Sequence, residues 1–318
     1  MNEFEIINKY FKKLRKNKSS LNLNDDVFFD KKNKLVLSVD TYVDKIHFFN
    51  FKNPELVIRK IIRSSISDIV CKGVNPKFIF ICASGNDKHF SKKNLKKIFD
   101  SIKKEQSIYN IFIGGGDTVK SSKLTFSVTS IGYSNKIVYR NRSGINDDIY
   151  VTGNLGDSYT GLCILQNAIK TNKYNSKYFL NKYYSPDIQI KLIKKLHEFA
   201  SSSIDISDGL FADLEKLINK QRYSFKVNLT DVPISDNLKN LLKLKKKKKI
   251  DFISNGDDYQ ILFTASKSKQ KIINNFSYIN KIRITKIGTI FKGRSKSVIL
   301  DNEGHQLFLK NKGYLHNF

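Results

Sequence analysis

The chain is 318 residues long, enough for two domains of ordinary size, and its 40% hydrophobic and 12% aromatic content excludes a disordered protein. Its 57 Lys and Arg against 29 Asp and Glu give a formal net charge of +28, which raises nucleic acid as a partner and equally favours small anionic phosphates. Three scattered cysteines without a CxxC pair exclude a disulfide framework and a zinc site, and no run approaches the ~18 apolar residues of a membrane span, so a cytoplasmic protein with no membrane partner is expected.

Phe4, Ile7, Phe11 and Leu14 fall at helical spacing and predict an amphipathic first helix. A polar loop follows, ending in Asp25-Asp26. Leu35 to Val39 reads as a strand that delivers Asp40 at its end, with Asp44 and His47 downstream. Asn53-Pro54 opens a helix whose buried face is Leu56, Val57, Ile61, Ile62, Ile66, Ile69 and Val70. Asp68 sits on this apolar helix beside Ser67, and a carboxylate in such a place needs a partner or a metal if buried. Phe78 to Cys82 is a nearly continuous apolar strand, which suggests that both its faces are covered. Ser91 caps a helix with Leu95, Ile98, Phe99 and Ile102 inward. Ile111 to Ile113 then runs into Gly114-Gly115-Gly116-Asp117-Thr118, a glycine stretch that would let backbone pass close to a phosphate. No GxxxxGK[ST] pattern is present, so it is not a Walker loop. Leu124, Phe126 and Val128 alternate with polar residues as a half-exposed strand.

Residues 134–148 are polar and separate the two halves. Arg140 and Arg142 stand out there in a lysine-dominated chain, fitting either phosphate or a surface connector. The second half opens on strand Ile149 to Val151, a turn through Gly153 and Gly156, and a helix through Leu162 and Leu165. A helix begins at Ser185-Pro186-Asp187 and carries Leu192, Ile193 and Leu196. Ser203 to Leu210 reads as strand, tight loop and helix, with Asp205 and Asp208 in the loop and Leu210, Leu214, Leu217 and Ile218 on the helix face. Phe225, Val227 and Leu229 form a strand. The Lys243 to Lys249 run has no interleaved aromatic for base stacking and reads as a solvated helix end or loop, which argues against nucleic acid as the main partner. Gly256-Asp257-Asp258 precedes strand Tyr259 to Thr264. Ile282 to Ile287 is another strand, and a hairpin turns about Asn302-Glu303-Gly304. The order of elements indicates two α/β or α+β domains.

An Asp before a helix is most often an N-cap. In an acid-poor chain, however, acids recur beside Gly, Ser, Thr or strand ends at Asp25, Asp40, Asp68, Asp117, Asp208 and Asp257. Oxygen donors of this kind suit Mg²⁺, held through carboxylates and substrate phosphates.

Asn24-Asp25-Asp26, Ser38-Val39-Asp40-Thr41, Ser67-Asp68-Ile69, Gly115-Gly116-Asp117-Thr118, Arg142-Ser143-Gly144, Asp205-Ile206-Ser207-Asp208-Gly209 and Gly256-Asp257-Asp258-Tyr259, in this order, resemble the thiamine-monophosphate kinases. These belong to the aminoimidazole ribonucleotide synthetase-like superfamily, and the resemblance runs collinearly from residue 3 to Tyr314. It implies a two-domain α+β / α/β fold, with an ATP/Mg-binding domain over 1–136 and a C-terminal α/β domain over 137–318. It also implies a homodimer paired through the N-terminal sheet, with ATP and several Mg²⁺ ions bound between the domains. By motif, Asp25, Ser38, Val39, Asp40, Asp68, Asp117, Asp205 and Asp208 would lie in the Mg²⁺ shell, with Asp40, Asp68, Asp117 and Asp208 the catalytic acids. Gly116, Asp117, Arg142 and Ser207 would hold ATP. His47, Asp257 and Tyr314, in Lys312-Gly313-Tyr314, would face thiamine monophosphate.

The implied activity is direct in-line phosphoryl transfer from ATP to thiamine monophosphate. An aminoimidazole ribonucleotide synthetase-like activity and a basic nucleic-acid-binding protein are the alternatives. The chain departs from the family pattern in Val70-Cys71-Lys72-Gly73, where small residues and a methionine are usual, and in Asp257 and Gln260, where glutamates are usual. A selenophosphate synthetase would want a cysteine in a glycine-rich N-terminal loop, and the hydrogenase-maturation relative a C-terminal one. The chain has neither.

Overall fold

Hydrophobic alternation in the strands and apolar stripes in the helices build two sheets that share one helical layer. The computed structural model describes residues 1–293, 297–309, 313–316 and 318. The first sheet contains β1 (Phe28–Asp30), β2 (Leu35–Val43), β3 (Pro76–Gly85), β4 (Phe112–Lys120) and β5 (Thr125–Tyr133), in the order β1-β2-β5-β3-β4. The second contains β6 (Asp148–Thr152), β7 (Ser202–Asp205), β8 (Tyr223–Asn228), β9 (Ile261–Ala265), β10 (Ile284–Lys292), β11 (Val298–Leu300) and β12 (Gln306–Leu307), in the order β12-β11-β8-β10-β6-β9-β7. The sheets mix parallel and antiparallel neighbours, which makes this an α+β fold.

The helix Pro54–Cys71 is the shared element. Proline at its first turn is pre-set for helical φ, and its stripe of Val57, Ile58, Ile61, Ile62, Ile66 and Val70 is fully buried. It packs against β2 and β5 of the first sheet and β7 of the second. Its apolar residues join Ile79 and Val128 on one side to Tyr150, Leu196 and Phe263 on the other in one continuous core. Whatever its last turn carries is therefore placed between the sheets. Among the described residues, no helix is long and apolar enough to cross a membrane.

Several sequence expectations are corrected. The strand expected to end near Asp40 continues to Val43, so Asp40 projects from within β2. The strand expected to end at Ile113 continues, and the glycine stretch 114–116 lies within β4, which runs parallel to β3. A Cβ at Gly116 would stand 1.9 Å from the Ile81 carbonyl, so this close approach requires glycine. Phe78 to Cys82 is covered on one face only. On the opposite face of the sheet Val39 and Tyr133 are exposed by 62% and 55%, which leaves an apolar surface open in the single chain.

The first helix stops at Lys9, and Phe4, Phe11 and Leu14 stay exposed, with the Lys216 ammonium 5.7 Å from the Phe4 ring centroid. In helix Lys92–Tyr109 the inward positions include Ser101 and Glu105, the latter held by Arg59 and Arg63, while Leu95 and Phe99 face solvent. The helix expected from Ser185 begins only at Ile193, after a 3-10 turn at Ile190–Leu192, and a helix over Lys173–Tyr184 precedes it. The Lys243 to Lys249 run is the C-terminal end of helix Asp236–Lys245 and the loop after it.

Candidate active site

Three elements deliver carboxylates to one place. On β2, Val36, Ser38 and Tyr42 point with Asp40 toward the shared helix. Tyr42 Oη lies 3.0 Å from Ser65 Oγ, and Ser38 Oγ donates to the Ser65 carbonyl. Asp68 comes from the last turn of that helix, and Asp205 from the end of β7. Asp26, in the loop before β1, completes the group: oxygens of Asp26, Asp68 and Asp205 all lie within 4.8 Å of one another.

Such crowding is electrostatically unfavourable without cations. Burial, then repulsion from Asp205, raises the Asp40 carboxyl to about 7, against an opposing hydrogen bond from Tyr42. Burial, then Asp40 and Asp205, push Asp68 well above the ordinary carboxylate range. Asp205 is also raised by burial, against a hydrogen bond from Ser67. Acids that resist ionisation until a cation joins them are what a divalent site made of oxygen ligands demands, so the donor set fits Mg²⁺.

Two corners of this cage are already held by cations of the chain. At the first, the fully buried Lys72 Nζ lies 2.7 Å from Asp25 Oδ1 and 2.5 Å from Asp26 Oδ2. Arg140 forks onto Asp26, and its backbone N–H donates to Asp25 Oδ2 at 3.0 Å. At the second, Lys216 bridges Asp208 and the fully buried Asp213. Asp213 in turn accepts the backbone N–H groups of Asp208 and Gly209 at 3.0 and 3.1 Å, fixing the loop.

The Asp208 loop is braced against the Asp257 loop. Asp257 N–H donates to the Ser207 carbonyl and Tyr259 N–H to the Ile206 carbonyl, both at 2.8 Å. Both bends require glycine, since a Cβ at Gly209 would meet the Ser254 carbonyl at 2.2 Å and one at Gly256 the Ser207 carbonyl at 2.1 Å. Asp257 faces Lys60, whose ammonium lies 4.0 Å from the Tyr183 ring centroid. Beyond it, Tyr314 N–H donates to the Asp208 carbonyl, and the His316 ring sits between those of Tyr314 and His47. Burial and the neighbouring His316 lower the pKa of His47.

The sequence-predicted residues therefore divide. Asp25, Ser38, Asp40, Asp68, Asp205, Ser207, Asp208, Asp257, His47 and Tyr314 belong to this connected region. Val39 and Asp117 lie on the opposite, exposed face of the first sheet. Asp117 stands three strands from β2, roughly 14 Å at ordinary strand spacing. Gly116 is in β4 beside it, and Arg142 is exposed, stacked over Tyr139 with its N–H donating to Ser202 Oγ. Lys312 is outside the described residues. Asp26, Lys60, Lys72, Asp213 and Lys216 were not predicted. Only Asp26 carried a signal, as the second acid of the Asn24-Asp25-Asp26 motif.

Comparison with known proteins bears on this arrangement. Residues 24–134 match the family described as AIR synthase related protein, N-terminal domain. The thiamine-monophosphate kinase of Buchnera aphidicola subsp. Acyrthosiphon pisum is 32% identical over 99% of this chain and 98% of its own. The solved structure of AaThiL complexed with AMPPCP and TMP superposes with a TM-score of 0.86 at 26% identity, covering 99% of this chain and 97% of that one. The thiamine monophosphate kinase of Aquifex aeolicus superposes with a TM-score of 0.82 at 25% identity, covering 96% and 97%.

Proposed function

The chain belongs to the thiamine-monophosphate kinase family, and we propose that its cage of buried acids holds the Mg²⁺ ions of an ATP-dependent transfer onto thiamine monophosphate. It is a kinase that takes ATP as co-substrate and thiamine monophosphate as acceptor. The observation that carries the metal reading is the convergence of Asp26, Asp40, Asp68 and Asp205 from four distant segments of a strongly basic chain.

The acceptor is a phosphate monoester with a second pKa of ~6, so its attacking oxygen is largely deprotonated at neutral pH. No side-chain base is needed. The barrier lies instead in bringing two polyanions together, and Mg²⁺ supplies charge neutralisation and alignment for an in-line displacement. Asp26, Asp40, Asp68 and Asp205 would hold the ions, with Asp208 at the rim on the loop that Asp213 and Lys216 fix. Asp257, oriented by Lys60 and Tyr259, and His47 with Tyr314 would line the acceptor side. Ser207, just past the end of β7, and Arg142, whose N–H donates to Ser202 at the start of that strand, would contribute to the ATP side. The parts of Gly116, Asp117 and Val39 rest on their motifs.

A homodimer formed through the first sheet is supported by the exposed Val39 and Tyr133 on its outer face. The domain division near residue 136 is supported by the polar stretch between β5 and β6. A cytoplasmic location fits the supply of ATP. Enzyme stripped with EDTA should lose ADP formation and regain it with Mg²⁺. Full turnover in the chelated enzyme would reject the metal assignment.

A further inference from the structure

The tail that carries Tyr314 and His316 is held more by backbone hydrogen bonds than by burial. Tyr314, Leu315 and Phe318 are exposed, so little apolar packing fixes this stretch. Tyr314 N–H donates to the Asp208 carbonyl at 2.9 Å, Glu3 N–H to the His316 carbonyl at 3.2 Å and Phe318 N–H to the Met1 carbonyl at 2.9 Å. Met1 and Glu3 thus run antiparallel to Phe318 and His316. Their side of the pairing is itself anchored. Asn2 caps helix Glu3–Lys9: its Oδ1 accepts the Glu5 N–H at 2.9 Å, and its own N–H donates to Glu5 Oε2 at 3.0 Å. The Phe4 ring lies 5.7 Å from the Lys216 ammonium, which bridges Asp208 and Asp213. Both supports of the tail therefore lead back to the Asp208 loop, one through its carbonyl and the other through the first helix and Lys216.

The same tail faces the acceptor side. The His316 ring centroid lies 5.2 Å from that of His47 and 4.9 Å from that of Tyr314, and Tyr314 is within electrostatic reach of Asp208 and Asp257. The three rings make one aromatic wall, the kind of surface that a cationic heteroaromatic ring such as the thiazolium of the acceptor favours. We propose that Glu3 is a positioning residue for the acceptor: its backbone N–H holds the His316 carbonyl and so sets the His316 ring between His47 and Tyr314, where it contacts the acceptor's rings. The inference rests on the acceptor-side reading of His47 and Tyr314 given above and adds two residues to it, one that touches the acceptor and one that acts through the first.

The hydrogen bond can be removed without disturbing the helix. Glu3 is the first helical residue, where a proline is well accepted and has no N–H to donate. Asn2 already holds the extended backbone that a following proline requires, at φ −89° and ψ 168°. Glu3→Pro deletes the bond to His316, and Glu3→Ala keeps it. The full-length wild type, E3A, E3P, H316A and the E3P/H316A double variant are compared by steady-state kinetics with each substrate varied in turn and by thermal melts. E3A should match wild type. E3P should raise KM for thiamine monophosphate about three- to tenfold while KM for ATP stays within about twofold. H316A should raise it at least as much, and the double variant no further than H316A alone, because Glu3 acts only through His316. An unchanged KM for the acceptor in E3P or in H316A, a rise shared equally by ATP, or effects that multiply in the double variant would each overturn the proposal. So would an E3P protein that fails to fold while E3A folds, since the bond would then serve the fold alone. A wild type whose ADP formation does not depend on thiamine monophosphate would instead overturn the acceptor reading itself, so the two failures are distinguishable.

Discussion

The ammonium of Lys60, 1% exposed, lies 2.9 Å from Asp257 Oδ1. The carboxylate that is one methylene shorter than the family's usual glutamate is therefore met by a lysine reaching out of the shared helix, and Tyr259 Oη donates to the same oxygen at 3.1 Å. Asp257→Asn should raise KM for thiamine monophosphate about tenfold or more while leaving KM for ATP within about twofold, because a charge-assisted contact of ~1.5–3 kcal/mol is lost on the acceptor side only. Steady-state kinetics with each substrate varied in turn checks this. An equal change in both constants would remove Asp257 from the acceptor side.

Asp40 gives a pH signature. A carboxyl whose pKa is about 7 folded and ~4 unfolded binds its proton more tightly in the native state. Its contribution to stability is complete below the unfolded value and is lost as pH rises through the folded one. In EDTA, Tm should therefore fall between about pH 4 and about pH 7, and the fall should be smaller in Asp40→Asn and in saturating Mg²⁺. Identical pH profiles for wild type and D40N in EDTA would contradict the burial and repulsion assigned to this carboxyl.

Neutralising Asp68 should separate stability from activity. Asp68→Asn removes a charge that burial, Asp40 and Asp205 all oppose, so the metal-free protein should gain ~1–3 kcal/mol in denaturant unfolding. Its kcat should fall by ~10²–10³-fold, as expected when electrostatic stabilisation of a developing charge is removed. Near-normal kcat at saturating Mg²⁺ would remove Asp68 from the proposed ion shell.

Gly256 tests the brace between the two acidic loops. Alanine there places a Cβ 2.1 Å from the Ser207 carbonyl at a φ of +71°, and nothing but backbone can yield. Gly256→Ala should cost ~2–4 kcal/mol of stability and lower kcat as well, because the strain falls on Ser207 and Asp208 together. A variant with unchanged Tm would show that the loops are not locked.

The strands, the shared helix and the acids Asp40, Asp68, Asp205 and Asp208 were legible in the sequence because each is a break in a periodic apolar pattern. Lys60, Lys72 and Lys216 were not, since a lysine in a chain with 57 Lys and Arg carries no signal until its burial is seen. The glycines at 114–116 read as the end of the strand begun at Ile111 because glycine weakens strands. Here close approach to β3 overrides that preference. Leu95 and Phe99 misled for the converse reason, since Glu105, paired with two arginines, took the inward side.

The central claim is that the caged acids serve phosphoryl transfer to a phosphate rather than to an alcohol. Purified protein with Mg²⁺ and ATP, supplied in parallel with thiamine monophosphate, free thiamine or no acceptor, tests it most directly by separation of the products. The account predicts ADP and thiamine diphosphate in equal amounts with thiamine monophosphate, and background ADP with the other two. ADP release that is the same in all three reactions, or phosphorylation of free thiamine at a comparable rate, would contradict it.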